Sequence, residues 1–276
     1  MSRVYATSAE FKNHPTNLDV SALVPNGTLA QNTAELNLLM QQASSYVEQI
    51  TYTPLYARTI TNEILRVRPD GYGNLEVRLK YAPIASLVSA QWRQYQANNF
   101  TTIALANIDL YPEYADGHKY IAGDQNYGSY YGWGQPPLTV QTTYVAGYAN
   151  SVLTAASIVG ATTLTLDTVL GITAGDTMTI YDGANQEDVV IDTIDATANT
   201  VTLATGTLFA HAIGVRVSEL PPAVSIATIY LAAWMIKERR AGGGFVMQGS
   251  VQGLDTRVSE DVQMAKENLR PFVRVI

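Results

Sequence analysis

The sequence predicts an α+β fold in which helices and a β-hairpin or small antiparallel sheet form a core, with an all-β barrel or sandwich-like domain inserted into it. Apolar residues recur at helical spacing in two segments, 32–51 and 218–240. Between residues 58 and 148, several runs have the alternation or the β-favouring composition of strands. The stretch 150–218 is rich in threonine and has no helical pattern.

The first predicted helix spans about residues 32–51. Asn32 or Thr33 is predicted to cap it, and Pro54 ends it because the residue before a proline disfavours the helical conformation. The apolar residues of one helix face are Leu36, Leu39, Met40, Ala43, Tyr46, Val47 and Ile50.

Strands are predicted to follow this helix. Segments 58–67 and 74–81 flank a glycine-containing loop and predict a hairpin, while 82–94 and 138–148 predict two further strands. Residues 111–137 are rich in tyrosine and glycine and predict an irregular loop. Such a loop packs on its own fold or on a neighbouring subunit, or it forms an adhesive aromatic patch.

The stretch 150–218 predicts a separate domain. Short β-favouring runs alternate with Gly, Asp and Asn turns, a pattern typical of a small antiparallel barrel or sandwich. It carries seven acids and one base, whereas the rest of the chain carries 17 acids and 16 bases. Without it, the strand before residue 150 would lead directly into a helix opened by Pro221 and Pro222. The predicted core is therefore discontinuous, residues 1–149 and 219–276, and we expect the insertion to project from it.

Composition excludes several classes of protein. The 276 residues include no cysteine, which excludes disulfides and thiolate metal sites. The longest apolar run is too short to span a bilayer, and the first residues lack the apolar region of a secretory signal. The net charge of −7 argues against nucleic-acid binding driven by phosphate contacts. These features predict a soluble protein without a membrane partner.

Motifs for catalysis, metals and cofactors are not evident. The three histidines lack the spacing of paired metal ligands, and no phosphate-binding loop or G-x-S-x-G elbow occurs. His118 with Asp116 and Glu113 could form a hydrolytic cluster, but a surface-loop histidine is the favoured interpretation. The segment 182–188, DGANQED, could hold a cation but is better interpreted as a hairpin turn. We therefore predict no catalytic residues, no metal site, no cofactor and no enzymatic activity.

Five segments follow one another in a characteristic order: YATSAEFKNH, LLMQQASSYVEQITYTPL, LRVRPDGYGNLEVRLKYAPIASLVSAQ, VQTTYVAGY and LPPAVSIATIYLAAWMIKER. Their order resembles the head–tail connector (adaptor) proteins of long-tailed bacteriophages. The resemblance covers most of residues 1–149 and 219–240, and the inserted β-domain departs from the compact members of that family.

The resemblance implies a virion structural protein that forms a ring of about 12 copies beneath the portal. Such a ring joins the capsid to the tail and extends the channel through which genomic DNA passes without specific binding. Its expected partners are copies of itself, the portal protein and a tail completion or tail terminator protein. The expected location is the virion neck, after synthesis in the cytoplasm of the host bacterium. Two alternatives stay open: a binding module that recognises a carbohydrate or host receptor, and a hydrolase at His118.

The end of the chain contains the predicted contact residues. The cations Lys237, Arg239 and Arg240 are predicted to contact a neighbouring subunit or the portal. The triple glycine Gly242, Gly243 and Gly244 is predicted to act as a hinge. Beyond it, an apolar tail is predicted to dock on the portal or on a neighbouring subunit, and the alternative is that the tail folds back on its own subunit. The docking residues are Phe245, Val246, Met247, Phe272, Val273 and Ile276.

Overall fold

The structure, a computed structural model, describes residues 4–16, 18–67, 75–93, 99–113, 118–123, 138–240 and 260–273. It confirms the predicted α+β fold. The helices are α1 (Ser8–Asn13), α2 (Leu29–Thr51), α3 (Pro222–Arg240) and α4 (Glu260–Leu269). The strands are β1 (Arg58–Val67), β2 (Leu75–Arg78), β3 (Ile84–Arg93), β4 (Thr101–Ile103), β5 (Ile108–Glu113), β6 (His118–Gly123), β7 (Leu138–Ala146), β8 (Asn150–Val152), β9 (Thr163–Thr165), β10 (Thr177–Tyr181), β11 (Glu187–Asp195), β12 (Thr200–Leu203) and β13 (Arg216–Ser218).

The chain divides into two compact units. The first comprises Met1–Leu55, Asn150–Val169 and Ala174–Ile276, and the second comprises Tyr56–Ala149 and Leu170–Thr173. The strands of residues 150–218 thus belong to the same unit as the helices. Autonomous folding of this stretch stays a prediction.

Helix α2 begins at Leu29, three residues before the predicted start at about residue 32. Its cap is Thr28, whose hydroxyl accepts from the Gln31 N–H at 3.3 Å while the Gln31 side chain accepts from the Thr28 N–H at 2.8 Å. The predicted cap, Asn32 or Thr33, is therefore wrong. Asn32 is buried, and its amide binds the preceding loop by accepting from the Val24 N–H and donating to the Ser21 carbonyl.

Helix α3 lies at the centre of the first unit. It begins at Pro222, as the two prolines predict, and it packs against α2 and α4. The Tyr46 ring of α2 stacks on Trp234 of α3, with 6.1 Å between ring centroids. Helix α4 folds back on α3 and buries Val262, Ala265 and Leu269. Apolar residues occur on several faces of α3 because these faces meet different neighbours.

The six strands of residues 150–218 curl into a small barrel with the order β8-β13-β10-β11-β12-β9. The barrel closes between its two edge strands, β8 and β9, where the Thr154 N–H donates to the Thr165 carbonyl and the Asp167 N–H donates to the Val152 carbonyl. This closure satisfies the backbone groups that an open sheet would expose at its edges. The barrel core includes Leu164, Leu166, Met178, Ile180, Val189, Ile191, Val201, Leu203 and Val217.

The second unit contains a four-stranded sheet, order β1-β7-β3-β4, and a three-stranded sheet, order β2-β6-β5. The predicted hairpin of segments 58–67 and 74–81 is wrong, because β1 pairs with β7 and β2 pairs with β6. Strands β5 and β6 occupy part of the segment predicted as an irregular loop, so that prediction is wrong for these residues. Gly147 explains the AGY turn after β7: its φ is +105°, and a Cβ there would lie 2.3 Å from the Tyr56 carbonyl oxygen. The buried core residues are Val77, Leu79, Ile84, Ala90, Ile103, Ile108, Val140, Tyr144 and Ala146.

Candidate functional site

A buried arginine joins the barrel to the helices of the first unit. Arg216 opens β13, and its neighbour Val217 points into the barrel core. Because successive side chains of a strand point to opposite faces, Arg216 points out of the barrel, where it is only 1% exposed. The guanidinium lies 3.9 Å from the centroid of the Tyr181 ring.

Glu10 of α1 is the ionic partner of Arg216. The guanidinium Nη2 donates to Glu10 Oε1 at 2.6 Å, and Nε donates to Oε2 at 3.0 Å, a two-point fork that matches the planar carboxylate. The same carboxylate accepts from the Thr7 N–H at 2.7 Å and closes the capping box of α1. One glutamate therefore fixes both the start of α1 and the arginine.

Helix α3 completes this junction through Ser225. Its hydroxyl accepts from Arg216 Nη2 at 2.9 Å and donates to the Tyr5 carbonyl at 3.0 Å. The Asn150 amide of β8 donates to the Val4 carbonyl at 3.0 Å. The leading segment, residues 4–13, is thus held by β8, by β13 and by α3.

A second buried ionic cluster lies at one end of the barrel. His211 Nδ1 lies 3.0 Å from Asp182 Oδ2, and His211 Nε2 lies 2.7 Å from Glu187 Oε1, with the imidazole fully buried. Burial alone would raise the pKa of Glu187. Hydrogen bonds from the Leu208 and Phe209 N–H groups and from His211 outweigh this effect and lower that pKa below its ordinary value. Glu187 therefore acts as an ionised anchor for the loop that contains His211.

Two loops meet above this cluster, residues 153–162 and 204–215. Ser157 and His211 exchange backbone hydrogen bonds, and the Gly160 N–H donates to the Thr207 carbonyl at 2.7 Å. Neither loop contains Asp, Glu, Lys or Arg. Their large exposed side chains, which we call the apolar tip, are Ile158, Val159, Leu208, Phe209 and Ile213, with exposed fractions between 38% and 76%.

The His211 cluster has the groups of an acid–base site but not its geometry. Both ring nitrogens face carboxylates, and neither is left to accept a proton from a hydroxyl nucleophile. The ring has no exposed surface through which a substrate could reach it. The arrangement can hold the loop in place, and this is the role that its contacts describe.

The cations predicted at the end of α3 bind carboxylates inside the chain. Lys237 Nζ lies 2.7 Å from Asp261 of α4, and Arg239 pairs with Glu35 of α2. The side chain of Arg240, the last residue of α3, lies outside the described residues. Contact of these three residues with another subunit or the portal stays a prediction.

The predicted tail residues are described only in part. Phe272 is half-buried at the end of a 3₁₀ turn after α4, and the following Val273 is 37% exposed. The predicted hinge, Gly242 to Gly244, and the docking residues Phe245, Val246, Met247 and Ile276 lie outside the described residues. Docking by this tail stays a prediction.

The two chemical alternatives in the sequence have different outcomes. Glu113 and His118 face each other in the β5–β6 backbone register, while Asp116 lies outside the described residues. The predicted hairpin turn in DGANQED is confirmed, since it joins β10 to β11 and its Asp182 and Glu187 hold His211.

Across the described ranges, no cluster of three His, Asp or Glu side chains is placed to hold a metal ion. None of the helices described here combines the length and apolarity needed to cross a membrane.

Sequence reasoning missed both buried clusters and the leading helix α1. In the sequence, Arg216 stands out only as the single base of an acidic stretch, and His211 has no other histidine at the spacing of a metal ligand. The available signals were a charge in a strand flanked by Val215 and Val217, and a long loop without charges around His211. Their partners, Glu10 and Glu187, are distant in sequence and could not be assigned from spacing.

Two solved structures are similar to the chain, one described as the neck of an empty gene transfer agent particle computed with C6 symmetry and the other as the virion of a native gene transfer agent particle. In each, the match covers 99% of this chain and 96% of the other chain, with 15% identity and a TM-score of 0.38. No family model and no curated protein matches the sequence. At this level of likeness, function has to be argued from the residues of the chain.

Proposed function

We propose that this protein is a structural subunit of the neck of a phage-like virion. In this role, copies of the chain form a ring of about 12 beneath the portal, which joins capsid to tail and extends the DNA channel. The proposal rests on the ordered motifs that resemble head–tail connector proteins. It makes the chain a component of an assembly rather than an enzyme.

The observation that carries the proposal is that two of these motifs meet in one helix pair. Tyr46 belongs to the segment LLMQQASSYVEQITYTPL and Trp234 to the segment LPPAVSIATIYLAAWMIKER, and their rings stack between α2 and α3. The segments are more than 160 residues apart in sequence. Their contact supports the interpretation that both belong to one helical core with an inserted β-barrel.

Ring closure needs two different surfaces on each subunit, because a rotational contact joins unlike faces. The first unit offers large apolar side chains outside its core. Leu29 and Leu38 of α2 are 77% and 44% exposed, and Met264 of α4 is also exposed. We propose that such side chains contribute to subunit contacts, together with the predicted docking of the tail and of Arg240 on the portal or a neighbour.

The charges support a channel through which DNA passes without specific binding. The chain has a net charge of −7, and Lys237 and Arg239 are paired with carboxylates of the same chain. A cation that is already paired contributes less to phosphate binding than a free one. We expect the isolated protein to show no tight, salt-sensitive binding to double-stranded DNA.

Electron microscopy of the purified protein, combined with native mass spectrometry, tests the assembly. The proposal predicts closed rings of about 12 subunits. The alternative, a surface-binding module, predicts monomers or trimers that bind glycans, and that result would overturn the ring proposal.

A further inference from the structure

We propose that the apolar tip is a docking knob that inserts into an apolar socket, bordered by Lys or Arg, on a different polypeptide. This inference goes beyond the proposed neck function and does not depend on ring formation. It rests on the exposure of the tip, on the contacts that hold it rigid and on the charge of the barrel around it.

The exposed apolar side chains of the tip lie together on the surface. Scattered apolar side chains are normal on a protein surface, but a contiguous group marks an interaction site. Ile158 and Val159 lie beside Leu208 and Phe209 because the Thr207 hydroxyl donates to the Ile158 carbonyl at 2.9 Å and Gly160 bonds to Thr207. The two loops thus present their apolar side chains together.

The tip is also held in one conformation. Glu187 accepts from the Leu208 N–H at 2.8 Å and from the Phe209 N–H at 3.1 Å, so a buried carboxylate fixes the backbone of both residues. His211 links this carboxylate to Asp182. Gly206 allows the loops to approach closely, since a Cβ there would lie 2.7 Å from the Gly160 carbonyl oxygen. A surface that is already ordered loses little conformational entropy when it binds.

The charge around the tip indicates the chemistry of the surface to which it binds. The carboxylates next to the tip are Asp182 and Glu187, which bind His211, and the exposed Asp188, whereas the one base of the barrel, Arg216, is buried against Glu10. Contact between the barrels of two copies would bring acidic surfaces together, and an anionic membrane would repel the same surface. An apolar socket with a basic rim on another polypeptide is complementary to both the tip and its surroundings.

Site-specific photo-cross-linking tests the inference in the cells where the full-length chain is naturally produced. A benzophenone amino acid replaces Leu208, and the control places it at Thr197, an exposed residue in the turn that follows β11. Strand β11 extends from Glu187 beside His211 to Asp195, so nine residues separate this turn from the tip. We expect an adduct from position 208 with a different polypeptide, at a cross-linked peptide that contains apolar residues and Lys or Arg.

A second variant distinguishes binding from folding. Ile158→Ser and Ile213→Ser remove two exposed apolar side chains and leave Glu187 and His211 in place. Added to the chain that carries the cross-linker at position 208, they are expected to reduce the adduct about tenfold or more without lowering the melting temperature. Asp188→Lys, on the acidic surface beside the tip, is expected to reduce it as well.

Four results would overturn the inference: an adduct with a second copy of this chain, an adduct with lipid, an adduct at position 208 no stronger than at position 197, or an adduct insensitive to Ile158→Ser and Ile213→Ser. The proposed neck function fails separately, if the chain is absent from purified particles. A specific adduct with a polypeptide outside the virion would support the docking role of the tip, and the neck function would still be judged by the presence of the chain in purified particles.

Discussion

Replacing Arg216 by methionine tests the junction between the barrel and the helices. Methionine keeps much of the length of the arginine and removes its charge and its donors. The variant leaves Glu10 without its ionic partner while that side chain is only 11% exposed, and it removes the hydrogen bond to Ser225. The cation–π contact with Tyr181 is lost as well.

Removing one partner of a buried ion pair costs about 3–5 kcal/mol, because the remaining charge stays buried without compensation. We expect Arg216→Met to lie near the lower end, about 3 kcal/mol, since Glu10 keeps its hydrogen bond from the Thr7 N–H and some contact with water. For a chain of this size, that loss corresponds to a decrease of about 6 °C or more in Tm.

Urea unfolding followed by circular dichroism measures the loss, and Arg239→Met is the matched control. Arg239 also pairs with a glutamate of the same chain, but it is 39% exposed, so its loss should cost about 0–1 kcal/mol. In the double variant Glu10→Gln, Arg216→Met, no buried charge is left unpaired. We therefore expect its cost to be smaller than the sum of the two single variants.

If Arg216→Met and Arg239→Met lowered the free energy of unfolding by the same small amount, this reasoning would be refuted. Strict additivity of Glu10→Gln and Arg216→Met would also refute it, because it would show that the two side chains do not stabilise each other in solution.

Three further predictions concern the His211 cluster and the end of the chain. His211→Gln should leave a buried carboxylate partly unpaired, cost about 1–3 kcal/mol and speed amide hydrogen exchange at Leu208 and Phe209; unchanged exchange would contradict its role as an anchor. The folded-state pKa of Glu187 is lowered, so its stabilisation is present above the unfolded-state pKa of about 4.3 and is lost as the pH falls through the folded-state pKa. The stability difference between wild type and Glu187→Gln should therefore shrink between pH 7 and pH 3, and a constant difference would count against the ionic anchor. Phe272→Ser with Val273→Ser, which leaves the buried face of α4 intact, should reduce co-sedimentation with tailless, portal-bearing heads; undiminished binding would exclude these two residues from the portal contact.

Local patterns were sufficient for most elements of the first unit. The apolar spacing of residues 36–50 predicts α2, and the prolines at 221 and 222 predict the start of α3, because both signals act within one or two helical turns. The alternation and turn residues of 150–218 predict the antiparallel barrel, since hairpin register depends on neighbouring strands. The cap of α2 was wrong because Thr28 precedes the apolar pattern and Asn32 is used by the loop before it.

The elements that sequence reasoning missed depend on distant or unusual partners. Arg216 is buried because Glu10, 206 positions away, supplies its counter-charge. Strand β5 runs into the predicted loop at Tyr111 and contains Pro112, and β6 ends with Ala122 and Gly123, so residues that are depleted in strands obscure the pattern of both. The apolar tip could have been noticed as a charge-free interval in an acidic stretch, but its exposure depends on how two loops pair.

Localisation of the chain in intact particles tests the central claim most directly. A short affinity tag can be inserted between Asp195 and Thr200, in the exposed turn between β11 and β12, and labelled with nanogold for electron microscopy. The neck proposal predicts label in a ring at the single vertex where head and tail meet, with about 12 sites per particle. Label on tail fibres, over the whole capsid or on no particle component would contradict it.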